Sequence, residues 1–547
     1  MNRFRYLLLG VLCAHLLACD GADSHVFQVS VSGSLKYQDK IYDGRGFTGD
    51  YPGKAIRFAE VQLVDGNVAV ASTRSDENGY YQLQGQGVRL KVRILAQSDA
   101  GIDADIAVAN QDGDIYAVSK SLAVDGESEL DFMLPITQDV TGAFNVLDVL
   151  SNGKQFIAQY DSTLTASLRA YWVPGNSEYG TYYCSLTTSR NVCPQGRGIY
   201  LVGGWRGGGD TDQFDDDVIL HEFGHFIEDQ LHIQDSPGGT HYLSDTDSDI
   251  RLSWSEGWGG FMPGAVKTWL ADNHPDLLSS DSNLSSTYFV DTYGDYAMIS
   301  MDLGDPESYY CWSGSRCYSY SSSEVAVANV LNGLNKSFGF DAIWNSVSAY
   351  LPYETPFAAS LETFWDGWVT QRNPDQAELS NLYNIFGRSS IYYRSDNYEA
   401  DNSYVAAKPY TVCPSCSSQQ RYLYNSVRNN DTDYAYLNLN AGKTYSIETT
   451  DLGNAADTYI RILNQDGSQA YSANGALMAN DNRPGTVFCA PLESPCKIHN
   501  DGKMLSSLLQ FTPDVSSTYI VEIATSSARP ISAGRYGSYK LLVQELP

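Results

Sequence analysis

The sequence predicts a multidomain chain: an α+β domain, mainly helical in its second half, between two all-β sandwich domains. Three observations carry that expectation. The 547 residues, 43% of them hydrophobic, suffice for about three or four cored domains. Short runs alternating apolar and polar residues fill both ends, residues 19–135 and 419–547, as strands with one buried face do. Between them, over 136–400, apolar residues recur largely at helical spacing.

Residues 1–18 come first and read as a secretion signal, with Arg3 and Arg5 as the charged end and Tyr6 to Leu17 as the apolar middle. That middle is too short to span a membrane. Leu16-Leu17-Ala18-Cys19 resembles the bacterial lipobox. The resemblance implies a lipid on Cys19 as the mature first residue, and hence an exported cell-envelope lipoprotein, periplasmic or on the outer surface. Ordinary cleavage would release a secreted protein instead. The lipid is the one membrane contact expected. Net charge is −30, and losing the two leader arginines takes it to −32. So acidic a chain will not bind nucleic acid non-specifically. Beyond Cys13 and Cys19, the cysteines fall into four close pairs: Cys184/Cys193, Cys311/Cys317, Cys413/Cys416 and Cys489/Cys496. Local pairs in an exported chain predict short-loop disulfides. Cys413-Pro-Ser-Cys416 also has the spacing of a redox dithiol, without a thioredoxin-like unit around it.

The N-terminal sandwich is read from Phe27 to Val31, Val61 to Val64, Tyr80 to Leu83 and Leu90 to Leu95, with a turn at Asp76-Glu-Asn-Gly79. Ser75-Asp76-Glu-Asn-Gly79-Tyr-Tyr-Gln-Leu83 resembles the transthyretin-like domain found beside carboxypeptidases. That implies a structural or binding accessory.

In the central domain, Ala143 to Leu150 reads as helix, and Ser167 to Val173 and Gly198 to Val202 as strands. The Gly-rich Gly203 to Gly209 reads as a loop, and no P-loop Lys-Ser/Thr follows it. Then comes Asp217-Val-Ile-Leu-His221-Glu222-Phe-Gly-His225. On a helix, residues four apart share a face, so His221 and His225 present two imidazoles to one Zn²⁺. Glu222 adjoins them, where a carboxylate can deprotonate a zinc-activated water. This is the H-E-x-x-H arrangement of zinc peptidases. Val218, Ile219, Phe223, Phe226 and Ile227 supply an apolar helix face, and Asp210 with Gln213 fits a capping box.

A third ligand is needed. A metzincin histidine would fall where Leu231 stands, and His232 is out of register. Glu256, in Leu252-Ser-Trp-Ser-Glu256-Gly-Trp-Gly-Gly-Phe261, is the better candidate, delivered by a second helix packed across the first. Glu256 paired with Ser253 also reads as a helix-start acid. Asp245, Asp247 and Asp249 are alternative ligands or a solvated loop. Asp217 to His225 followed by Ser255-Glu256-Gly-Trp258 resembles the gluzincins, the thermolysin-like peptidases. The resemblance implies His221, His225 and Glu256 on zinc, Glu222 as general base, and endopeptidase activity on a protein or peptide substrate. It also implies an oxyanion donor, for which Tyr320 is the candidate and His241 another. The aspartate that this family carries four residues after the ligand glutamate is Gly260 here. Pro263 and the glycines make the segment a poor helix by propensity. Glu324 to Leu331, Phe340 to Val347 and Phe357 to Val369 continue the helical half.

Residues 401–418 read as a linker, and a second sandwich follows through Ala435 to Leu439, Lys443 to Ile447, Thr458 to Leu463, Leu508 to Phe511, Tyr519 to Ile523 and Tyr539 to Val543. Asp433-Tyr-Ala-Tyr-Leu, Asp457-Thr-Tyr-Ile and Gly537-Ser-Tyr-Lys-Leu resemble the bacterial pre-peptidase C-terminal domain. Since relatives of that domain bind calcium, Asp457, Asp481 and Asn482 are candidate Ca²⁺ ligands, or ordinary turn residues. The rival to a zinc endopeptidase is a non-catalytic surface lipoprotein that holds protein or polysaccharide through its sandwiches. Oligomeric state leaves no mark in the sequence.

Overall fold

The computed structural model describes residues 26–98, 106–122, 125–176, 180–185, 192–205, 208–245, 248–280, 283–293, 296–304, 322–353, 358–412, 418–424, 431–454, 456–481, 505–527 and 534–547. These form a mixed α+β, multidomain molecule.

The N-terminal sandwich follows from its alternation. The strand Phe27–Gln38 buries every second residue from Val29 to Tyr37. It pairs antiparallel with Tyr80–Gly87 and parallel with Gly126–Glu129 and Phe132–Leu134. At the expected turn, Asp76 Oδ1 accepts from the amides of Asn78 and Tyr80 at 2.9 and 2.8 Å, and Gly79 takes φ +76°. The facing sheet continues past residue 136. Its order is Tyr182–Cys184, Gly198–Leu201, Leu168–Trp172, Ile106–Ala109, Leu90–Ser98, Ala59–Asp65, Val68–Arg74. Ile106–Ala109 and Leu168–Trp172 pair in parallel, so one ladder joins both sides of the 135/136 boundary. One core accordingly holds Val31 and Val61 together with Ile219, Trp258 and Trp365.

The helices are α1 (Val140–Ala158), α2 (Asp216–Gln230), α3 (Ile250–Asn273), α4 (Glu324–Phe338), α5 (Phe340–Ala349), α6 (Leu361–Arg372) and α7 (Gln376–Arg388). The expected capping box at Asp210 and Gln213 is not formed. Asp212–Phe214 makes a 3₁₀ turn, and the N-cap is Asp215, whose side chain accepts from the amide of Val218 at 3.3 Å.

The C-terminal strands pack two sheets around Leu437, Ile447, Ile460, Val521 and Leu541. This sandwich is fastened to α6. Glu362 accepts from the amides of Arg535 and Tyr536 at 2.7 and 3.0 Å, and the Arg535 guanidinium donates to Asp366 at 2.7 Å. Part of the segment 401–418 is folded onto the sandwich. Asp401 is fully buried against Arg421 at 2.6 Å, Lys408–Pro409 pairs in parallel with Thr432–Leu439, and Tyr410 enters the core. Cys413 and Cys416 lie outside the described residues.

Asp217 ties these layers together. Its Oδ2 accepts from Lys267 Nζ of α3 at 2.6 Å and from the amide of Tyr288 at 2.8 Å, and its Oδ1 from the hydroxyl of Tyr42 at 3.2 Å. Asp217 and Lys267 are both buried, so removing one charge strands the other. Lys267→Met is expected to cost about 3–5 kcal/mol of unfolding free energy. Urea denaturation of the variant measures it, and an unshifted midpoint would rule out this role for the pair.

Candidate metal centre

The local sequence of α2 sets the first half of the site. Acidic Asp216 and Asp217 in its first turn suit the positive end of the helix. His221 and His225, one turn apart, present their rings to the same side, with centroids 4.9 Å apart and Nε2 atoms 3.2 Å apart. Ile219, Phe223 and Phe226 face the core.

The second half comes from α3, and its glycines are explained by contact. A Cβ on Gly224 of α2 would lie 3.1 Å from the Gly259 Cα, and one on Gly259 would lie 2.9 Å from His221 Cε1 and Nε2. On other faces, a Cβ on Gly257 would meet Val327 Cβ of α4 at 2.5 Å, and one on Gly260 would meet Met301 Cε at 2.5 Å. Three neighbours therefore approach one helix, and burial outweighs its low propensity and Pro263. Asp249, not a residue near Glu256, caps α3, so Glu256 is an interior residue of the helix.

Glu256 reaches the histidines. Its Oε2 lies 3.1 Å from His221 Nε2 and 3.5 Å from His225 Nε2. The donor atoms of these three residues lie within 4.8 Å of one another. Two imidazole nitrogens and a carboxylate oxygen are a donor set that suits zinc. Beside them Glu222 is buried, and its Oε2 has no hydrogen-bond partner among the described residues. Burial pushes the Glu222 carboxyl above its ordinary range, although His225 and His221 pull it down. Burial would raise Glu256 too, but the fields of His241 and His225 outweigh it and hold that carboxyl well below the usual range.

No protein-family model and no curated protein matches the chain. Among solved structures, it is similar over 25% of its length to PliG of Aeromonas hydrophila, a periplasmic inhibitor of g-type lysozyme, with 16% identity, 96% of that chain and TM-score 0.14. It is similar over 25% of its length to CorA, a surface-associated copper-binding protein of Methylomicrobium album BG8, with 12% identity, 97% of that chain and TM-score 0.16. At such scores neither likeness bears on fold or function.

The histidines differ in their outer contacts. His225 Nδ1 lies 3.2 Å from Glu228 Oε2 and 3.1 Å from Ser255 Oγ, and Ser255 donates to Glu228 at 2.6 Å. Glu228 thus orients one ring from its own helix. His221 Nδ1 is buried and has no hydrogen-bond partner among the described residues; the position four residues after Glu256 is Gly260. Glu228 and Ser255 escaped the sequence reading. Their signal was an acid three residues after the second histidine and a hydroxyl beside the ligand acid.

His241 is brought in from the loop between α2 and α3. Its Nδ1 lies 2.8 Å from Glu324 Oε2 and its Nε2 3.4 Å from Glu256 Oε2. Burial disfavours the charged ring, but the Glu256 and Glu324 carboxylates outweigh it and push the His241 pKa up to about 10. Glu324 had no sequence signal beyond its place at a helix start. Tyr320 and Asp247 lie outside the described residues. Asp245 and Asp249 are not ligands in this arrangement. Asp245 accepts from the amide of Tyr242, and Asp249 is taken up by the α3 cap and Arg251.

Of the residues proposed for calcium, Asn482 lies outside the described residues, and Asp457 and Asp481 belong to no metal-competent group among them. Such a group does form from Glu399, Asp401 and Asp433. Of the cysteine pairs, Cys184–Cys193 is disulfide-bonded, and the other three lie outside the described residues.

Glu228→Gln weakens the hydrogen bond that orients His225 while keeping side-chain volume. Zinc affinity, measured by competition with a coloured chelator, is expected to fall about 10- to 100-fold. Unchanged affinity would remove Glu228 from the site.

Proposed function

We propose that the chain is a zinc-dependent endopeptidase of gluzincin type, exported as a lipoprotein anchored at Cys19. The observation that carries the reading is the convergence of His221, His225 and Glu256, with a buried Glu222 oxygen alongside that has no hydrogen-bond partner among the described residues. The crossing of a histidine-bearing helix by a glutamate-bearing helix, beside a β-sheet, supports the gluzincin arrangement. A formed disulfide is compatible with export, and no described helix is long and apolar enough to cross a membrane.

Zinc, when bound, supplies the Lewis acid that acidifies the attacking water and polarises the peptide carbonyl. Glu222 takes the proton of that water and delivers it to the leaving amine, so it is base first and acid second. Burial prepares it, because a desolvated carboxylate is a stronger base than a hydrated one. His221, His225 and Glu256 hold the ion, with Glu228 and Ser255 steadying His225.

Glu222→Gln is expected to abolish cleavage of a casein or peptide-library substrate, with wild-type zinc content by elemental analysis. Chelator is expected to stop wild-type cleavage and added zinc to restore it. Undiminished proteolysis in the variant would refute this chemistry. A zinc-loaded wild type that cleaves nothing would favour the non-catalytic binding lipoprotein.

Calcium belongs to the same proposal, at Glu399, Asp401 and Asp433. Among the described residues Asp401 Oδ1 and Asp433 Oδ1 are buried without hydrogen-bond partners, which leaves two oxygens for a hard cation beside the Arg421 guanidinium, 3.9 Å from Asp433 Oδ1. Calcium at a hundred times its Kd is expected to stabilise the protein by about 2.7 kcal/mol. Calorimetric melting reads this as a rise in Tm, which Asp433→Asn should remove. A Tm indifferent to calcium would discard the site.

A further inference from the structure

We propose that Asp39 and Asp216 share one proton across Lys54 and Ser279, and that this proton latches the N-terminal sandwich onto the first turn of α2. The latch stands whether or not α2 carries a metal.

Its parts come from separate stretches of chain. Asp39 follows the strand Phe27–Gln38, and Lys54 lies in the short strand Gly53–Ala55 paired with it. Asp216 opens α2, ahead of the two histidines, and Ser279 follows α3. Lys54 Nζ lies 2.9 Å from Asp39 Oδ2 and donates to Ser279 Oγ and the Leu277 carbonyl oxygen, both at 2.7 Å. Ser279 Oγ in turn donates to Asp216 Oδ2. Asp216 Oδ1 accepts from Asn145 Nδ2 of α1 at 2.9 Å. All of these side chains are buried.

The charges gathered here do not balance. Tyr37 and Tyr42 face the network from the sandwich, with Arg57 beyond Lys54. Asp148 faces it from α1, Asp215 and Asp217 from α2 itself, and Lys267 of α3 borders a cavity with Asp216. Two of the three cations are already engaged. Arg57 Nε donates to Asp148 Oδ1 at 2.7 Å, and Lys267 Nζ to Asp217 Oδ2 at 2.6 Å. Asp215 is held by the amides of Val218 and Val290. Both tyrosines stay neutral, because burial and the neighbouring aspartates raise them well above their ordinary range.

Lys54 alone is left to face two carboxylates, Asp39 and Asp216. A buried charge without a counter-charge is costly, so two carboxylates at one cation keep a proton between them. Burial, with the field of Asp39 behind it, pushes the Asp216 pKa up to about 7 against the pull of Lys54. Burial lowers the Lys54 ammonium, but Asp39 and Asp216 outweigh it and raise that group, so the cation persists.

An aspartate in the unfolded chain titrates near pH ~3.9. The folded form, with the higher value, therefore holds a proton that the unfolded form has already lost. The latch is strongest below about pH 4, weakens as pH rises toward about 7, and levels off beyond. Above that range two carboxylates press on one ammonium. The strand Gly53–Ala55 and the start of α2 then loosen together, since Lys54, Ser279 and Asp216 form one chain of contacts.

Hydrogen exchange of the full chain, read by mass spectrometry from about pH 5 to about pH 9 and corrected for the intrinsic rate, tests the latch. In the wild type, protection of amides in residues 35–57 and in α2 is expected to fall by up to about tenfold per pH unit toward neutrality and then level off. Asp216→Asn and Asp39→Asn each leave Lys54 a single carboxylate. In both, that decline should vanish, and protection relative to wild type should rise with pH. Two variants are used so that a folding defect in one does not decide the matter. Amides of the strand Ser517–Thr525 in the C-terminal core should respond to pH alike in all three proteins. A wild-type profile without the decline would overturn the proposal. So would the same decline in both variants, since another group would then carry it. Protection lowered equally at every pH would also overturn it, by making the network merely structural.

Discussion

Two helices touch backbone to backbone where Gly224 of α2 meets Gly259 of α3, and the candidate metal centre depends on that contact. A side chain at Gly224 would press on the Gly259 Cα, and one at Gly259 would strike the His221 ring. Helices with ordinary side chains at their crossing stay about 8–10 Å apart. At that separation, a glutamate on one helix would be held away from imidazoles on the other. The glycines cost helix propensity and gain proximity.

Electrostatics completes what packing begins. Asp215, Asp216, Asp217, Glu222, Glu228, Glu256 and Glu324 are concentrated around α2 and α3. The acids distant from the histidines are compensated: Asp217 by Lys267, and Asp216 by hydrogen bonds from Asn145 and Ser279. Those near the histidines retain capacity, as the bare Glu222 oxygen shows. A bound cation at this acidic centre is part of the proposal above. Its charge would relieve the repulsion among Glu222, Glu256 and Glu324.

The surrounding domains are foundations as much as accessories. Tyr42 of the N-terminal region reaches Asp217, one turn before the first histidine, and a sheet ladder runs unbroken from that region into the central one. At the other end, Glu362 and Asp366 receive the backbone and guanidinium of the C-terminal Arg535. Tyr536 lies in the central core and not in that of its own sandwich. Strain or loss at either end would therefore reach the helices that carry the site.

What the sequence determined by itself was whatever repeats locally. Alternation placed the strands of both sandwiches, and the four-residue step between His221 and His225 placed two rings on one helical face with Glu222 beside them. Glu256 was legible as an acid on a segment that could pack across the first helix, with Asp245, Asp247 and Asp249 as alternatives. Tertiary structure decided the rest: the N-cap at Asp215, the partnership of Glu228 and Ser255 behind His225, and the meeting of His241 with Glu324 across 83 positions of chain. It also brought Glu399, Asp401 and Asp433 together as a metal-competent group that no local pattern had marked. The reason is physical. A helix or strand repeats its geometry every few residues, so spacing alone carries the information. Convergence of distant segments is set by the sum of many small contacts, and no local pattern encodes that sum.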